Sequence, residues 1–352
     1  MKIRARAVTT NGMINVGIVG LGFMAATHIK AYRNLPHARI AALCNPSGHR
    51  LDGDFSDITG NVGDKQPVRL DMAGVKAYRD FHELLADRDI QLIDICSHTP
   101  THPEYVIAAL RAGKHVICEK PLARTSELAR SMVEAAASAK TYLMPAMCLR
   151  FLPTWAWLKA AVTSGAYGKV LGARFRRVAQ PPGWGRGSFM DGAKSGGALL
   201  DLHVHDVDFA QHCFGRPRAV FATGYSHISG AIDHVVAQYI YPSGISVHAE
   251  GAWAMAEGFG FNMSYTVNFE RATADYDLAR DKEALKLFEK GKPPQVIPGD
   301  GPDGYTGELT HILDCIQSGR PPSIVTAQDG LAAVELCEAE EKSIRNRCVV
   351  NL

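Results

Sequence analysis

The segment that most restricts this chain is Ile14-Asn15-Val16-Gly17-Ile18-Val19, which runs directly into Gly20-Leu21-Gly22-Phe23-Met24-Ala25. A short apolar strand entering a Gly-x-Gly-x-x-Gly/Ala turn, followed by helical apolar spacing to Leu35, opens a βαβ unit that holds a dinucleotide. Gly20 permits the tight turn, Gly22 lets the backbone approach a pyrophosphate, and Ala25 keeps the helix close to the sheet. The anion then rests on the helix N-terminus, where free N–H groups and the helix dipole favour negative charge. A tight strand–helix turn without a ligand is the competing reading, and the strand before and helix after weigh against it.

The rest of the first half repeats this rhythm. Arg39 to Cys44, Gln91 to Ser97 and Lys114 to Cys118 read as strands, and Phe81 to Ala86, Glu104 to Ala112 and Ser126 to Ala139 as helices. Near-continuous apolar strands alternating with helices imply a parallel sheet buried on both faces. Between Pro46 and Val75 the periodicity lapses into a long polar loop, a length uncommon unless the loop covers a cofactor or a partner. After about Arg150 the pattern changes. Helices at Thr154 to Ser164 and Asp201 to His212 are set among alternating strands at Val170 to Val178, Ala219 to Tyr225, His234 to Tyr241, Ile245 to Ala252 and Ser264 to Phe269. The expected fold is therefore α/β plus α+β: residues 1–145 form a dinucleotide-binding domain and 146–352 an open, mainly antiparallel sheet flanked by helices. The last helix, Ala327 to Ile344, is placed to pack back on the first domain.

Composition narrows the functional classes. With 38 basic and 36 acidic residues the chain has no electrostatic footprint for nucleic acid or an anionic membrane. Eight scattered cysteines with no Cys-x-x-Cys pair read as reduced thiols, not a disulfide framework or zinc site. No run approaches the roughly 18 apolar residues of a membrane span, and the basic leader Met1 to Met13 lacks the apolar core of a signal peptide. A soluble, cytoplasmic protein is expected.

Two further segments carry chemistry. In Gly113-Lys114-His115-Val116-Ile117-Cys118-Glu119-Lys120-Pro121, Lys120 stands at the C-terminal end of a parallel strand, the edge where open α/β sheets bind ligands. A lysine there can orient an alcohol and, if burial lowers its pKa, take part in proton transfer. In Ser195-Gly196-Gly197 through Asp201 to His205, the carboxylate and imidazole are four apart and share a face of a continuous helix. A carboxylate so placed raises the basicity of an imidazole and suits it as a general base, although such a pair taken bare is more often structural. His203, His205, Asp206 and Asp208 also invite a metal reading, but His203 points away from His205 on a helix and hydride transfer needs no metal, so no metal site is assigned. The second strand ends at Asn45, where NAD sites usually carry Asp or Glu. Asn45 does not repel a 2′-phosphate, and Ser47, His49 and Arg50 follow, so NAD and NADP both stand. Arg150, Trp184 and Tyr265 are substrate candidates by placement; Tyr265 reads more naturally as core.

Taken together, these residues resemble the Gfo/Idh/MocA oxidoreductases, a family that includes inositol and glucose dehydrogenases, glucose–fructose oxidoreductase and biliverdin reductase. The match rests on Gly20 to Ala25, Thr99-Pro100-Thr101-His102, Ala112 to His115 with Glu119-Lys120-Pro121, Arg150-Phe151, and Gly196-Gly197 through Asp201 to His205. The resemblance implies a Rossmann domain followed by an open sheet whose outer face makes homodimers or homotetramers. It also implies Lys120 as catalytic lysine, His205 as acid/base and Asp201 as its orienting carboxylate, with a sugar, inositol or related polyol as substrate. Phe23 and Met24 then belong to the cofactor turn, and Thr99, Pro100, His102 and Glu119 line the nicotinamide pocket. Three positions depart from the family pattern: Asn45 replaces an acidic residue, Cys148 stands where an Asn often precedes the Arg-Phe pair, and the insert after Pro46 is long. Two rival readings are a glycoside hydrolase that retains NAD and oxidises its sugar transiently, and a non-catalytic dinucleotide sensor; the presence of both Lys120 and His205 speaks against the sensor.

Overall fold

A computed structural model of the chain describes residues 12–58, 66–183 and 189–352. The first sheet holds six strands: β1 (Ile14–Val19), β2 (Ala38–Cys44), β3 (Lys76–Tyr78), β4 (Leu92–Ile95), β5 (His115–Glu119) and β6 (Leu143–Ala146). All its pairings are parallel, in the order β3-β2-β1-β4-β5-β6. Helices α1 (Phe23–Tyr32), α2 (Phe81–Ala86), α3 (His102–Arg111) and α4 (Ser126–Ser138) connect the strands. Val16, Ile18, Val19, Leu92, Ile93, Val116 and Ile117 are fully buried, as strands covered on both faces require.

The order reverses between β1 and β4, and that switch point opens a crevice beyond the strands' carboxyl ends. Val19 pairs with Ile95, and Ile95 with Cys118, so the three strands stop at one edge. Gly20, Ser97 and Lys120, far apart in the chain, emerge there together.

The second half contributes α5 (Pro153–Ser164), β7 (Val170–Ala179), α6 (Gly192–Ser195), α7 (Gly197–Asp201), α8 (Val204–Phe214), β8 (Ala219–Tyr225), β9 (His234–Ile240), β10 (Ser246–Ala252), β11 (Phe261–Phe269), β12 (Ala272–Asp277), β13 (Leu285–Glu289), β14 (Gln295–Ile297), α9 (Gly304–Ser318), α10 (Ala327–Asn346) and β15 (Val350–Asn351). Its nine strands run β14-β13-β12-β11-β7-β10-β9-β8-β15, antiparallel except for the central β7–β10 pair. Burial alternates along β9 and β11, the mark of a sheet with one packed and one solvated face. Under the packed face Trp155 is fully buried, edge-on to Phe209 at 4.8 Å and to Tyr265 at 5.1 Å; such contacts add about 0.5–1.5 kcal/mol beyond area burial. Helix α10 lies against α4, tied by Arg130–Glu335 (2.6 Å) and by Ser126 N–H donating to Glu338 (2.7 Å).

Several elements depart from the sequence reading. The expected helix from Asp201 to His212 is interrupted at Leu202–His203, so Asp201 closes α7 while His205 lies in the first turn of α8. The insert after Pro46 is not merely polar: Phe55 and Val68 are buried in the core, and Phe55 N–H donates to Val68 O at 2.9 Å. Strands β3, β6 and β12 to β14, and helix α9, were not anticipated. Among the described residues no helix is long and apolar enough to cross a membrane.

Candidate active site

Gly20 has φ +84°, and a Cβ there would lie 2.4 Å from Ser97 Cα, inside main chain. Its lack of a side chain is therefore what seats the first turn on the end of β4. A Cβ at Gly22 would meet nothing within 4 Å. Helix α1 begins there with no side-chain cap and no acidic residue in its first turn. Open space at a helix start, where the first N–H groups have no partner within the helix, fits a dinucleotide diphosphate. Gly20→Ala is expected to weaken dinucleotide binding at least about tenfold, since the left-handed conformation alone costs roughly 1–2 kcal/mol with a Cβ. Calorimetric titration with NAD checks it, and unchanged affinity would contradict this use of the turn.

Lys120 follows β5 and reaches across to the second half of the chain. Its Nζ donates to Asp201 O at 2.7 Å and lies 3.2 Å from Asp201 Oδ1. Both side chains are largely but not fully buried, at 14% and 16% exposure, so they border the crevice. Among the described residues, two of the ammonium's three N–H donors are thus engaged and one is left. Asp201 consequently orients Lys120, not His205. The expected carboxylate–imidazole pair does not form, because the break at Leu202–His203 separates the two residues and Asp201 turns to the lysine. His205 Nδ1 is buried without a hydrogen-bond partner. Burial, with the positive charges of Lys120 and Arg177 nearby, holds its pKa well below the usual histidine value. The raised basicity expected from sequence is reversed.

The glycines before Asp201 are closed in by protein atoms. Gly197, at φ +72°, would place a Cβ 2.5 Å from Ile232 O, so α7 is pressed onto the loop before β9. His203 turns to α10, with Nε2 3.2 Å from Glu340. Asp206 pairs with Arg177 at 2.7 Å and Asp208 with Arg150 at 2.6 Å. The four side chains considered for a metal therefore diverge.

Other sequence-derived candidates take different places. Thr99 and Pro100 form a short turn of 3-10 helix after β4, half-buried and exposed respectively, on the crevice side. Phe23 and Met24 open α1 and are half-buried. His102 does not offer a free nitrogen to a ligand: its two ring nitrogens lie 3.0 Å from Pro121 O and Ser97 O, bracing the β4 and β5 loops together. Glu119 faces inward, accepting from Lys120 N–H at 3.1 Å. Asn45 donates to His49 O at 2.8 Å within a tight turn. Arg50 reaches Leu21 O in the glycine turn at 2.9 Å but is forked onto Asp57 at 3.0 and 2.7 Å.

Arg150 is no substrate ligand in this geometry. It is 6% exposed, forked onto Asp208 at 2.9 and 2.6 Å, and donates to Ile324 O at 2.7 Å, with Asp329 3.3 Å away. Tyr265 is core, its hydroxyl donating to Thr154 O at 2.8 Å. Trp184 lies outside the described residues.

The chain has counterparts among known proteins. A family model described as "Oxidoreductase family, NAD-binding Rossmann fold" matches residues 14–147, and the GFO/IDH/MocA C-terminal domain matches 155–275. The chain belongs to the Gfo/Idh/MocA oxidoreductase family. Relatives include myo-inositol 2-dehydrogenase of Thermotoga maritima, 28% identical over 96% of this chain and 98% of its own length. Another is trans-1,2-dihydrobenzene-1,2-diol dehydrogenase of Macaca fuscata fuscata, 33% identical over 71% of this chain and 76% of its own. Among solved structures, a levoglucosan dehydrogenase in complex with NADH and levoglucosan superposes with TM-score 0.83 at 22% identity, covering 96% of this chain and 99% of that one, a likeness of fold. Membership makes this Gfo/Idh/MocA chain an NAD-binding oxidoreductase.

Missed from sequence altogether was a buried cluster behind the crevice: His28, Asp94, Cys96, Glu119 and Glu308. Its members come from α1, β4, the end of β5 and α9, and no local motif joins them.

Proposed function

We propose that the chain oxidises, reversibly, a secondary alcohol of a sugar, inositol or related polyol, with NAD as the partner. The observation that carries this reading is the Lys120–Asp201 pair at the edge where the glycine turn emerges, with His205 near enough for Lys120 to depress its pKa. When bound, the nicotinamide supplies the hydride acceptor or donor. Lys120 uses its remaining N–H to hold the reacting oxygen and to stabilise negative charge developing there. Asp201, with its carbonyl and carboxylate on Nζ, fixes where that N–H points. His205, kept neutral by burial and two neighbouring cations, takes the hydroxyl proton during oxidation and returns it during reduction. Because its pKa is depressed, the acid limb of kcat/KM for oxidation is expected below the ordinary histidine value of about 6.5. A limb at or above that value would contradict the assignment.

The choice of NAD is supported by the family model's NAD-binding description and by Arg50, whose fork is already spent on Asp57. The sugar or polyol class is supported by the inositol, dihydrodiol and levoglucosan dehydrogenases among its relatives. A homodimer or homotetramer through the outer face of the large sheet is supported by exposed Phe221, Tyr225 and Val236 on β8 and β9. A panel of polyols and sugars offered with NAD and with NADP, read by reduced-nicotinamide absorbance, tests the function. Stoichiometric reduction by a free polyol, faster with NAD, is expected. Glycoside cleavage without net reduction would overturn it.

A further inference from the structure

Beneath Lys120 lies a set of charges that the chemistry above does not use. His28, on α1 just after the glycine turn, is completely buried, and its Nδ1 lies 2.9 and 3.1 Å from the two oxygens of Asp94. On the other side of the ring, Nε2 is 3.3 Å from Glu119 Oε1 and 3.7 Å from Glu308 Oε1, within ion-pair reach but without a hydrogen bond. Glu119 Oε2 in turn accepts from the Lys120 main-chain N–H at 3.1 Å. Hydrogen bonds at the two ends and an ion-pair contact between His28 and Glu119 therefore link Asp94 to the backbone that carries Lys120.

We propose that His28 is a positioning residue for the reaction: it holds the Glu119 carboxylate from below, and Glu119 fixes the main chain from which Lys120 reaches the substrate oxygen. Two buried carboxylates facing one ring are tolerable only if positive charge stands between them, since an unpaired buried charge costs several kcal/mol. Burial alone would push the imidazole toward neutrality, but Asp94 and Cys96 beside it carry it the other way, to well above the ordinary histidine value. Glu308, from α9, is fully buried with neither oxygen hydrogen-bonded, and burial pushes its carboxyl strongly upward, toward the neutral acid. Tyr32 on α1 and Tyr305 at the start of α9 complete the titratable surroundings, and burial raises both hydroxyls. The cluster then sets a ring that favours positive charge between Asp94 and Glu119, with Glu308 pushed toward the neutral acid.

The inference rests on the role of Lys120 proposed above, and the experiment separates the two. Asparagine at position 28 keeps an amide nitrogen for Asp94 but loses the arm to Glu119; glutamine extends to Glu119 and gives up Asp94. At saturating NAD and substrate, His28→Asn and Glu119→Gln are each expected to lower kcat about tenfold, and the double variant to lower it no further than Glu119→Gln alone, because neighbours acting in series are not additive. His28→Gln is expected to retain more activity than His28→Asn, although it is the less stable of the two. Multiplicative losses in the double variant, or kcat following melting temperature across the two His28 variants, would overturn the proposal. So would stoichiometric metal in the purified chain, since a cation would then occupy the space between His28, Glu119 and Glu308. If His28→Asn does not fold, nitrogen NMR of isotope-labelled histidine in the unaltered chain decides: an imidazolium at neutral pH is expected, and a neutral ring overturns it. Full activity in Lys120→Ala would sink the underlying role of Lys120 and this inference with it. An inactive Lys120→Ala together with multiplicative losses sinks the inference alone.

Discussion

Lys120→Ala is expected to lower kcat by about 10²–10⁴-fold, the usual contribution of positioned acid–base and electrostatic groups, while leaving the NAD dissociation constant within about threefold. The distinction follows from placement. The diphosphate is expected at Gly20, Gly22 and the start of α1, whereas Lys120 Nζ is held by Asp201 of the second half of the chain. Removing the ammonium also removes one of the two cations that hold the His205 pKa down. NMR titration of the variant is therefore expected to show His205 protonating at higher pH than in the parent chain. His205→Ala is expected to match the loss in turnover, again with dinucleotide binding retained. Isothermal titration with NAD alongside steady-state kinetics separates the two effects; full turnover in either variant would remove its role. Asp201→Asn is expected to fall short of Lys120→Ala, because the Asp201 main-chain carbonyl, at 2.7 Å from Nζ, survives the substitution.

The second large effect concerns stability. Arg150→Ala is expected to cost about 3–5 kcal/mol, the usual consequence of removing one partner of a buried ion pair. Asp208 is left buried, at 2% side-chain exposure, without the fork that neutralises it. Asp208's own carboxyl is already pushed upward by burial, against the opposing pull of Arg150, so in the variant it is expected to protonate more readily still. Ile324 O also loses its donor, loosening the approach to α10. The prediction separates two roles for one residue. A substrate ligand would raise KM and leave the urea midpoint alone; the buried pair moves the midpoint. Urea unfolding of the parent, Arg150→Ala and the Arg150→Ala/Asp208→Leu pair tests it. The double variant is expected to recover part of the loss, because an apolar pair leaves no buried charge.

What could be read in the sequence was what is local. The glycine turn, the alternation of apolar strands with helices, and the strand-end lysine each declare themselves within a dozen residues, and each stands where the pattern placed it. The Asp201–His205 relationship failed because it assumed an unbroken helix. The break at Leu202–His203 accompanies His203 turning inward to Glu340, and a Cβ on Gly251 would lie 2.5 Å from the His203 Cβ. Lys120, the partner Asp201 actually takes, lies 81 residues earlier. Arg150 misled for the same reason: an arginine's neighbour in sequence does not reveal whether Asp208, 58 residues on, will meet it. Helix α9 is absent from the sequence reading although its signal is local: Leu309, Ile312, Leu313 and Ile316 stand at helical spacing behind the Asp303 cap. Its Glu308 could not have been joined to His28, because nothing local links α1 to α9. Strands β12 to β14 are short, and their outward residues blunt the apolar alternation that would mark them.

Direct hydride transfer from a carbinol carbon, with Lys120 and His205 handling its oxygen and proton, leaves an isotopic signature on the dinucleotide. A polyol substrate deuterated at the reacting carbon, incubated with NAD and the enzyme, tests it in one step by mass spectrometry of the dinucleotide. One deuterium on the reduced nicotinamide for each carbonyl formed, with none lost to water, is the expected result. Deuterium appearing in solvent, or turnover with no label on the dinucleotide, would contradict it.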